Sequence, residues 1–178
     1  MSRAWRFWLK PPGSRREPWK RFVPKAVMAA AMVTLPFIYV QDRFMIGINP
    51  QISSCLNVRV LLVDRYDRTL ERGAVFAYLA KGLEPAFADG TLMGKVLDGL
   101  PGDRYSVSAE GVDVNGVHVV DGLPLAARLK RDPEAFFRTG TIPAGRILML
   151  GRTEESFDGR YFGLIDAGQI VGRAYPIL

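Results

Sequence analysis

Phe22 to Val40 (FVPKAVMAAAMVTLPFIYV) is a run of nineteen residues with one charge, Lys25, near its start, and Ala26 to Val40 carries none. A helix across the hydrocarbon core of a bilayer takes about 20 apolar residues, with a range of roughly 17–25. The run just suffices, and a lysine at its edge extends it by snorkelling to the interface. Pro36 is tolerated in such a helix because its neighbours re-satisfy the freed backbone groups. Tyr39, Trp5, Trp8 and Trp19 suit the two interfaces. In front of the run the charge is lopsided: residues 1–25 hold eight Lys/Arg and one acid, Glu17. Basic residues before a span keep that end in the cytoplasm. The expected organisation is a basic cytoplasmic segment (1–21), a transmembrane anchor (22–41) and an external domain (42–178), which in a bacterium lies in the periplasm at the inner membrane. A cleaved signal peptide also fits the charge-then-apolar order, with Ala29–Ala31 as small residues. Its basic region would be unusually long, and Asp42 and Arg43 end the apolar run late. The charge asymmetry argues against a third option, a buried helix of a soluble protein.

The chain has 178 residues and a net charge of +6, with 24 Lys/Arg against 18 Asp/Glu. The first 25 residues carry +7 of that, so the other 153 carry −1. A near-neutral body lacks the basic surface that neutralises phosphates, so no nucleic-acid partner is expected. The lipid bilayer is the expected partner of the N-terminal part. Cys55 is the one cysteine and His118 the one histidine. No internal disulfide, no cysteine-based metal cage and no histidine-rich metal site can be built from them. His118 follows an Asn-Gly turn and is expected at the surface.

The body reads as short strands. Val58–Val63, Gly73–Ala80, Leu92–Leu97, Arg146–Leu150 and Gln169–Ala174 are apolar runs bounded by turn residues, and Tyr105, Val107 and Ala109 alternate with Ser106 and Ser108. Asn115-Gly116 between β-branched residues marks a hairpin. Asp132-Pro133, ahead of Glu134-Ala135-Phe136-Phe137, is a helix start. The expected fold is mainly β, with an insertion at about 112–142 that carries the hairpin and the short helix.

Three local patterns carry chemistry. Ser53-Ser54-Cys55-Leu56 follows the apolar run after a short loop. Lys95 stands inside an apolar strand pattern, six residues before Pro101 in Gly99-Leu100-Pro101-Gly102-Asp103. Gly151-Arg152-Thr153-Glu154-Glu155-Ser156-Phe157-Asp158-Gly159-Arg160-Tyr161-Phe162-Gly163 closes the set. Read singly, these are a cap serine, a strand ending in a Pro-Gly-Asp turn, and a polar loop with a surface Asp158–Arg160 pair worth little.

Taken together and in order, they resemble the type I signal peptidase family. That family places a Ser-Met-x-Pro nucleophile motif just after a transmembrane segment, and Ser54-Cys55-Leu56-Asn57 takes that place. Its base is a lysine six residues before the proline of Gly-x-Pro-Gly-Asp, the spacing of Lys95. Gly151, Ser156, Asp158, Arg160, Tyr161 and Gly163 follow the order of its last box. Ile142-Pro143-Ala144-Gly145 is similar to the strand entry before that box, and Ile170 to Ala174 to the closing strand. Asn57 replaces the motif's proline, Arg152-Thr153 replaces Asp-Asn, Gly159 replaces a serine, and Ile52 stands where the family carries a hydroxyl donor. The compact size and the Arg-Tyr-Phe-Gly ending look more like the conjugative-transfer branch, the TraF-type pilin-processing peptidases.

The resemblance implies a signal-peptidase-like β-sheet domain, no cofactor or metal, and precursor proteins with leader peptides as substrates, pilin among them. It implies Ser54 as nucleophile, Lys95 as general base, Ser156 as the group that orients Lys95, and Asp158 with Arg160 as a structural pair. The residue types suit this. A serine hydroxyl needs an adjacent base to attack a peptide carbonyl. A lysine is a base only when neutral, and burial disfavours its charged form. The apolar surroundings of Gly94-Lys95-Val96-Leu97 are expected to bury the side chain. The Ser54 N–H is one expected oxyanion donor. Cys55 as nucleophile is a rival, but no histidine lies in a recognisable motif beside it. A non-catalytic anchored assembly component of a conjugation or secretion apparatus is the alternative function. A self-cleaving repressor needs a DNA-binding helix pair, and residues 1–41 offer an apolar span instead.

Overall fold

A computed structural model of the chain describes residues 18–48, 56 and 60–177. It falls into two compact units, Met1–Gln41 and Asp42–Leu178. Helix α1 runs Trp19–Arg43, 25 residues, with Pro24 and Pro36 inside and no buried residue. At 1.5 Å per residue it is about 37 Å long, more than a hydrocarbon core of about 30 Å. Among the described residues it is the one helix long and apolar enough to cross a membrane.

The second unit is built from antiparallel strands. One sheet holds β1 (Phe44–Ile48), β2 (Val60–Asp64), β3 (Val75–Leu79), β4 (Leu92–Gly99), β9 (Arg146–Leu150), β10 (Ile165–Asp166) and β11 (Ile170–Pro176), in the order β1-β2-β11-β3-β4-β9-β10. The other holds β5 (Arg104–Val107), β6 (Gly111–Val114), β7 (Val117–Asp121) and β8 (Arg138–Thr141), in the order β7-β6-β5-β8. A one-turn helix, α2 (Gly159–Phe162), lies between β9 and β10.

Strand β9 explains the core. Side chains of a strand alternate between faces. Ile147 and Met149 join a cluster with Phe76, Tyr78 and Leu97. Leu148 and Leu150 join a second cluster with Val107, Val112 and Ile142. All four β9 side chains have 0% exposure, so this strand is covered on both faces. Burying each contributes about 1.5–3 kcal/mol. That is why Arg146–Leu150 reads as a continuous apolar run rather than an alternating one.

The Asn115-Gly116 hairpin forms between β6 and β7, with φ of 53° and 78° at the two turn residues. Those angles are the type I′ signature, which Asn and Gly tolerate best. The expected strands at 73–80, 92–97, 146–150 and 169–174 correspond to β3, β4, β9 and β11. The strand expected at 58–63 corresponds to β2, although Val58 and Arg59 lie outside the described residues. Elsewhere the structure differs from the sequence reading. Pro133–Phe136 is a four-residue 3-10 turn rather than an α-helix, and the Asp132 side chain makes no cap bond. The four-stranded sheet takes in β5 as well as β6, β7 and β8, so it begins ahead of residue 112. Strands β1, β8 and β10 and helix α2 were not expected.

The beginning of the second unit is fixed by an ion pair. Arg43 Nη2 meets Asp64 Oδ2 at 2.6 Å, and Arg43 Nε donates to both Asp64 oxygens at 3.0 Å. Tyr66 N–H donates to Oδ1 at 3.0 Å. Asp64 is 4% exposed. The Arg43 hydrogen bonds, then the Tyr66 N–H and the Arg43 charge, hold its carboxyl below the usual value of 3.8 against the opposing effect of burial. A carboxyl depressed on folding contributes stability that is present above the unfolded value of 3.8 and is lost as pH falls through the folded value. Thermal melts from pH 7 down to pH 2 test this. Asp64→Asn is expected to melt lower than the wild type at pH 7 and to lose less on acidification below about pH 4. Parallel curves for the two proteins would contradict it.

Candidate active site

Lys95 occupies the middle of β4, opposite Phe76 of β3. It shares its sheet face with Met93 and Leu97, both members of the Phe76–Tyr78 cluster. The residue is 1% exposed. Its Nζ donates to Ser156 Oγ at 2.7 Å. Among the described residues no carboxylate pairs with it. The apolar pattern that surrounds Lys95 in the sequence is thus also its surroundings in space.

Ser156 is 0% exposed and sits in the loop between β9 and α2. Its place depends on Gly151. A Cβ on Gly151 would lie 1.9 Å from Ser156 Oγ and 2.4 Å from its Cβ, far inside contact distance. Only a residue without a side chain lets the serine close onto the end of β9.

Asp158 and Arg160 hold the loop from inside. Asp158 is the N-cap of α2 and accepts from the Arg160 N–H at 3.0 Å. It also takes Arg160 Nε at 3.0 Å, Arg160 Nη2 at 2.9 Å and the Gly151 N–H at 2.8 Å. Arg160 Nη2 donates further to the Thr153 and Ser156 carbonyls at 3.1 and 3.4 Å, and Nη1 to the Asp121 carbonyl at 3.0 Å. The side chains of the pair are 0% and 3% exposed. The pair, which the loop read by itself would leave at the surface, is buried, because α2 turns its first residues inward. Tyr161 anchors the same turn: its hydroxyl accepts from the Leu125 N–H at 2.9 Å, and its ring stacks on Phe157 at 5.7 Å.

The structure therefore brings Lys95, Ser156, Asp158 and Arg160 together. Ser54 and its neighbours Ser53, Cys55 and Asn57 lie outside the described residues. His118 stands apart on β7, half-exposed, with Nδ1 and Nε2 each 2.9 Å from a carboxylate oxygen, of Asp113 and Asp121 respectively. Asp121 foremost and Asp113 next raise its pKa above the ordinary 6.5. Among the described residues no group of three His, Cys, Asp or Glu side chains could hold a metal ion.

One pair was missed in the sequence. Asp98, on β4, takes both terminal nitrogens of Arg152 at 2.9 and 2.7 Å. Burial raises its pKa above 3.8, and the two Arg152 hydrogen bonds reverse only part of that rise. The signal was an aspartate inside an otherwise apolar strand.

The profile of the family described as "Signal peptidase, peptidase S26" matches residues 19–178. The chain belongs to that family. Two relatives in Escherichia coli, each named plasmid transfer protein TraF, are similar to this family member. One is 35% identical over 117 residues, 61% of this chain and 59% of the relative. The other is 32% identical over 120 residues, 64% of this chain and 62% of the relative. The match thus spans about three fifths of the length of each relative. A signal peptidase I of Enterococcus faecalis, known from its crystal structure, aligns with a TM-score of 0.41 at 23% identity, over 60% of this chain and 97% of that one.

Removing one member of a buried, hydrogen-bonded ion pair strands the other charge and costs about 3–5 kcal/mol. Arg160→Leu is expected to lose stability on that scale in urea denaturation. Asp158→Asn combined with Arg160→Leu should lose less than the two single changes added together. Additive losses would mean that the two side chains act independently.

Proposed function

We propose that the protein is a membrane-anchored serine endopeptidase that removes leader peptides from exported precursors. The observation that carries this reading is Lys95: an amine enclosed by apolar side chains, in contact with a serine hydroxyl at 2.7 Å and with no carboxylate partner among the described residues. An ordinary structural lysine either reaches solvent or pairs with an acid. Family membership supplies the class of chemistry.

In this reading Ser54 is the nucleophile and Lys95 the general base. As Ser54 Oγ attacks the scissile carbonyl carbon, its proton passes to the Lys95 amine. The carbonyl oxygen gains the negative charge, which the Ser54 N–H stabilises. When the tetrahedral intermediate collapses, the C–N bond breaks and Lys95 gives its proton to the leaving amine. An ester on Ser54 remains. Water then attacks that ester while Lys95 takes its proton, and as the second tetrahedral intermediate collapses the C–Oγ bond breaks and Lys95 returns the proton to Ser54 Oγ. The Ser156 hydroxyl fixes the rotamer of the lysine through both halves. Asp158 and Arg160 hold Ser156 in place and touch no reacting atom.

The helix Trp19–Arg43 is a retained anchor in this reading, with the basic N-terminal segment cytoplasmic and residues 42–178 periplasmic at the inner membrane. An enzyme tethered there meets precursors whose leaders sit in the same bilayer. Conjugative pilin is the proposed substrate, because the two relatives named above are plasmid transfer proteins.

The test is processing of a pilin precursor from the same genetic neighbourhood, co-expressed in membranes with the wild type, Ser54→Ala, Lys95→Ala or Cys55→Ala. The wild type and Cys55→Ala are expected to yield the shortened product. Ser54→Ala and Lys95→Ala should lower its rate by at least about 10³-fold, in keeping with the loss of a nucleophile or its base. Equal processing by wild type and Ser54→Ala would overturn the mechanism. Conjugation that needs the protein but not Ser54 would make it an assembly component instead.

A further inference from the structure

Strand β4 contains a residue its surroundings do not invite. Both faces of its second half are covered by apolar clusters, yet Asp98 lies there, 6% exposed. The ladder with β9 shows how it is accommodated. Leu97 stands opposite Met149 and Gly99 opposite Leu148, so Asp98 is the extra residue of a β-bulge with no partner across the ladder. A bulge bends its strand and re-aims a side chain. Here the carboxylate turns to Arg152 and takes the guanidinium as a two-pronged fork, Nη1 to Oδ2 at 2.9 Å and Nη2 to Oδ1 at 2.7 Å. Planar two-point pairing of this kind fixes orientation as well as distance. The bulge itself is clamped from behind. Arg72 Nη1 donates to the Asp98 carbonyl at 2.6 Å, and Arg72 Nη2 to Asp103 Oδ2 at 2.7 Å.

The loop that carries Ser156 has few other ties to β4. Its bonds to Asp158 and Arg160 come from its own C-terminal end and from α2. These hold the loop together and, through Arg160, tie it to the end of β7, but none of them reaches β4. Only two side-chain links among the described residues cross from β4 to the loop: Lys95 to Ser156 and Asp98 to Arg152. The first is the contact to be set. The second sits three residues along the same strand from Lys95 and four residues along the same loop from Ser156. Arg152 also departs from the Asp-Asn that the family carries after this glycine, and Asp98 supplies the opposite charge from the facing strand.

We propose that Asp98 and Arg152 are positioning residues that lock the Gly151–Asp158 loop onto β4 and thereby hold the Ser156 hydroxyl on the Lys95 amine. The catalytic part of this proposal rests on the peptidase reading above; the mechanical part does not. Neither residue touches the reacting atoms. Their loss lets the hydroxyl drift from the amine, so the chemical step slows while binding of the precursor stays the same.

The experiment uses the full chain in detergent micelles. Variants are Asp98→Asn, Arg152→Gln, the double Asp98→Asn/Arg152→Gln, and Arg152→Lys. The double variant is decisive, because it leaves no buried charge unpaired and should unfold in urea close to the wild-type midpoint. Its kcat on a precursor peptide is expected to fall by about 10- to 100-fold, the size of effect that a small misplacement of a catalytic group produces. KM should stay within about three-fold. Arg152→Lys, which keeps the charge but not the fork, should recover part of the kcat. Backbone deuterium exchange gives a readout that needs no activity: residues 151–158 should exchange at least about tenfold faster in the double variant, with residues 104–121 unchanged.

A double variant with wild-type kcat and wild-type exchange would overturn the proposal and leave the peptidase reading intact. An equal rise in KM without a fall in kcat would also overturn it. If the wild type cleaves no precursor and the loop still loosens in the double variant, the locking role stands and the peptidase reading falls.

Discussion

Arg160 is the side chain on which the site rests. A guanidinium presents five donors in a fixed fork, and here its acceptors come from three parts of the chain: the Asp158 carboxylate, the Thr153 and Ser156 carbonyls, and the Asp121 carbonyl at the end of β7. A charge this deeply buried is costly unless every donor is met. Once met, it leaves the loop almost no alternative conformation. The Ser156 hydroxyl is where it is because its own carbonyl, and the carbonyl three residues before it, are held by one rigid group. The same group ties the loop to the four-stranded sheet, so the outer hairpin is mechanically continuous with the environment of Lys95.

The second constraint is the two-sided burial of β4 and β9. A strand packed on one face leaves the other for water, and a lysine there is solvated. Here the four-stranded sheet and its neighbours cover what would be the wet face of the larger sheet. Leu148 and Leu150 pack against Val112 and Ile142 on one side while Ile147 and Met149 pack against Phe76 and Tyr78 on the other. Lys95 stands on the Phe76–Tyr78 side, beside Met93 and Leu97, and is 1% exposed. The smaller sheet closes the opposite side, over Leu148 and Leu150.

Much of this was legible in the sequence, for identifiable reasons. The core strands are continuous runs of β-branched and aliphatic residues, and the Asn-Gly turn has few conformations open to it. Lys95, Ser156, Asp158 and Arg160 were legible only through the resemblance of their motifs, taken in order, to those of the signal peptidase family. What escaped notice escaped for physical causes. Strand β1, Phe44–Ile48, is short and only partly buried, and it is a strand because β2 lies beside it. Strand β8, Arg-Thr-Gly-Thr, is polar because most of it is exposed, and it is a strand only because β5 lies beside it. Helix α2 is one turn long, too short to show a period, and is nucleated by the Asp158 cap. The Asp98 bulge depends on a partner 54 residues away, which no local pattern reports.

Gly151 has a consequence for how this protein can vary. Glu154 and Glu155 in the same loop are exposed and are open to drift. At Gly151 the space for even one extra carbon is already filled by Ser156. Every single-nucleotide change in a glycine codon that alters the residue adds a side chain, so this position has no neighbouring sequence that preserves the packing. Change at 151 would have to follow a change at 156 that makes room, and such a change removes the hydroxyl that Lys95 contacts. The packing thus couples the two positions, while the exposed Glu154 and Glu155 between them stay free to diverge.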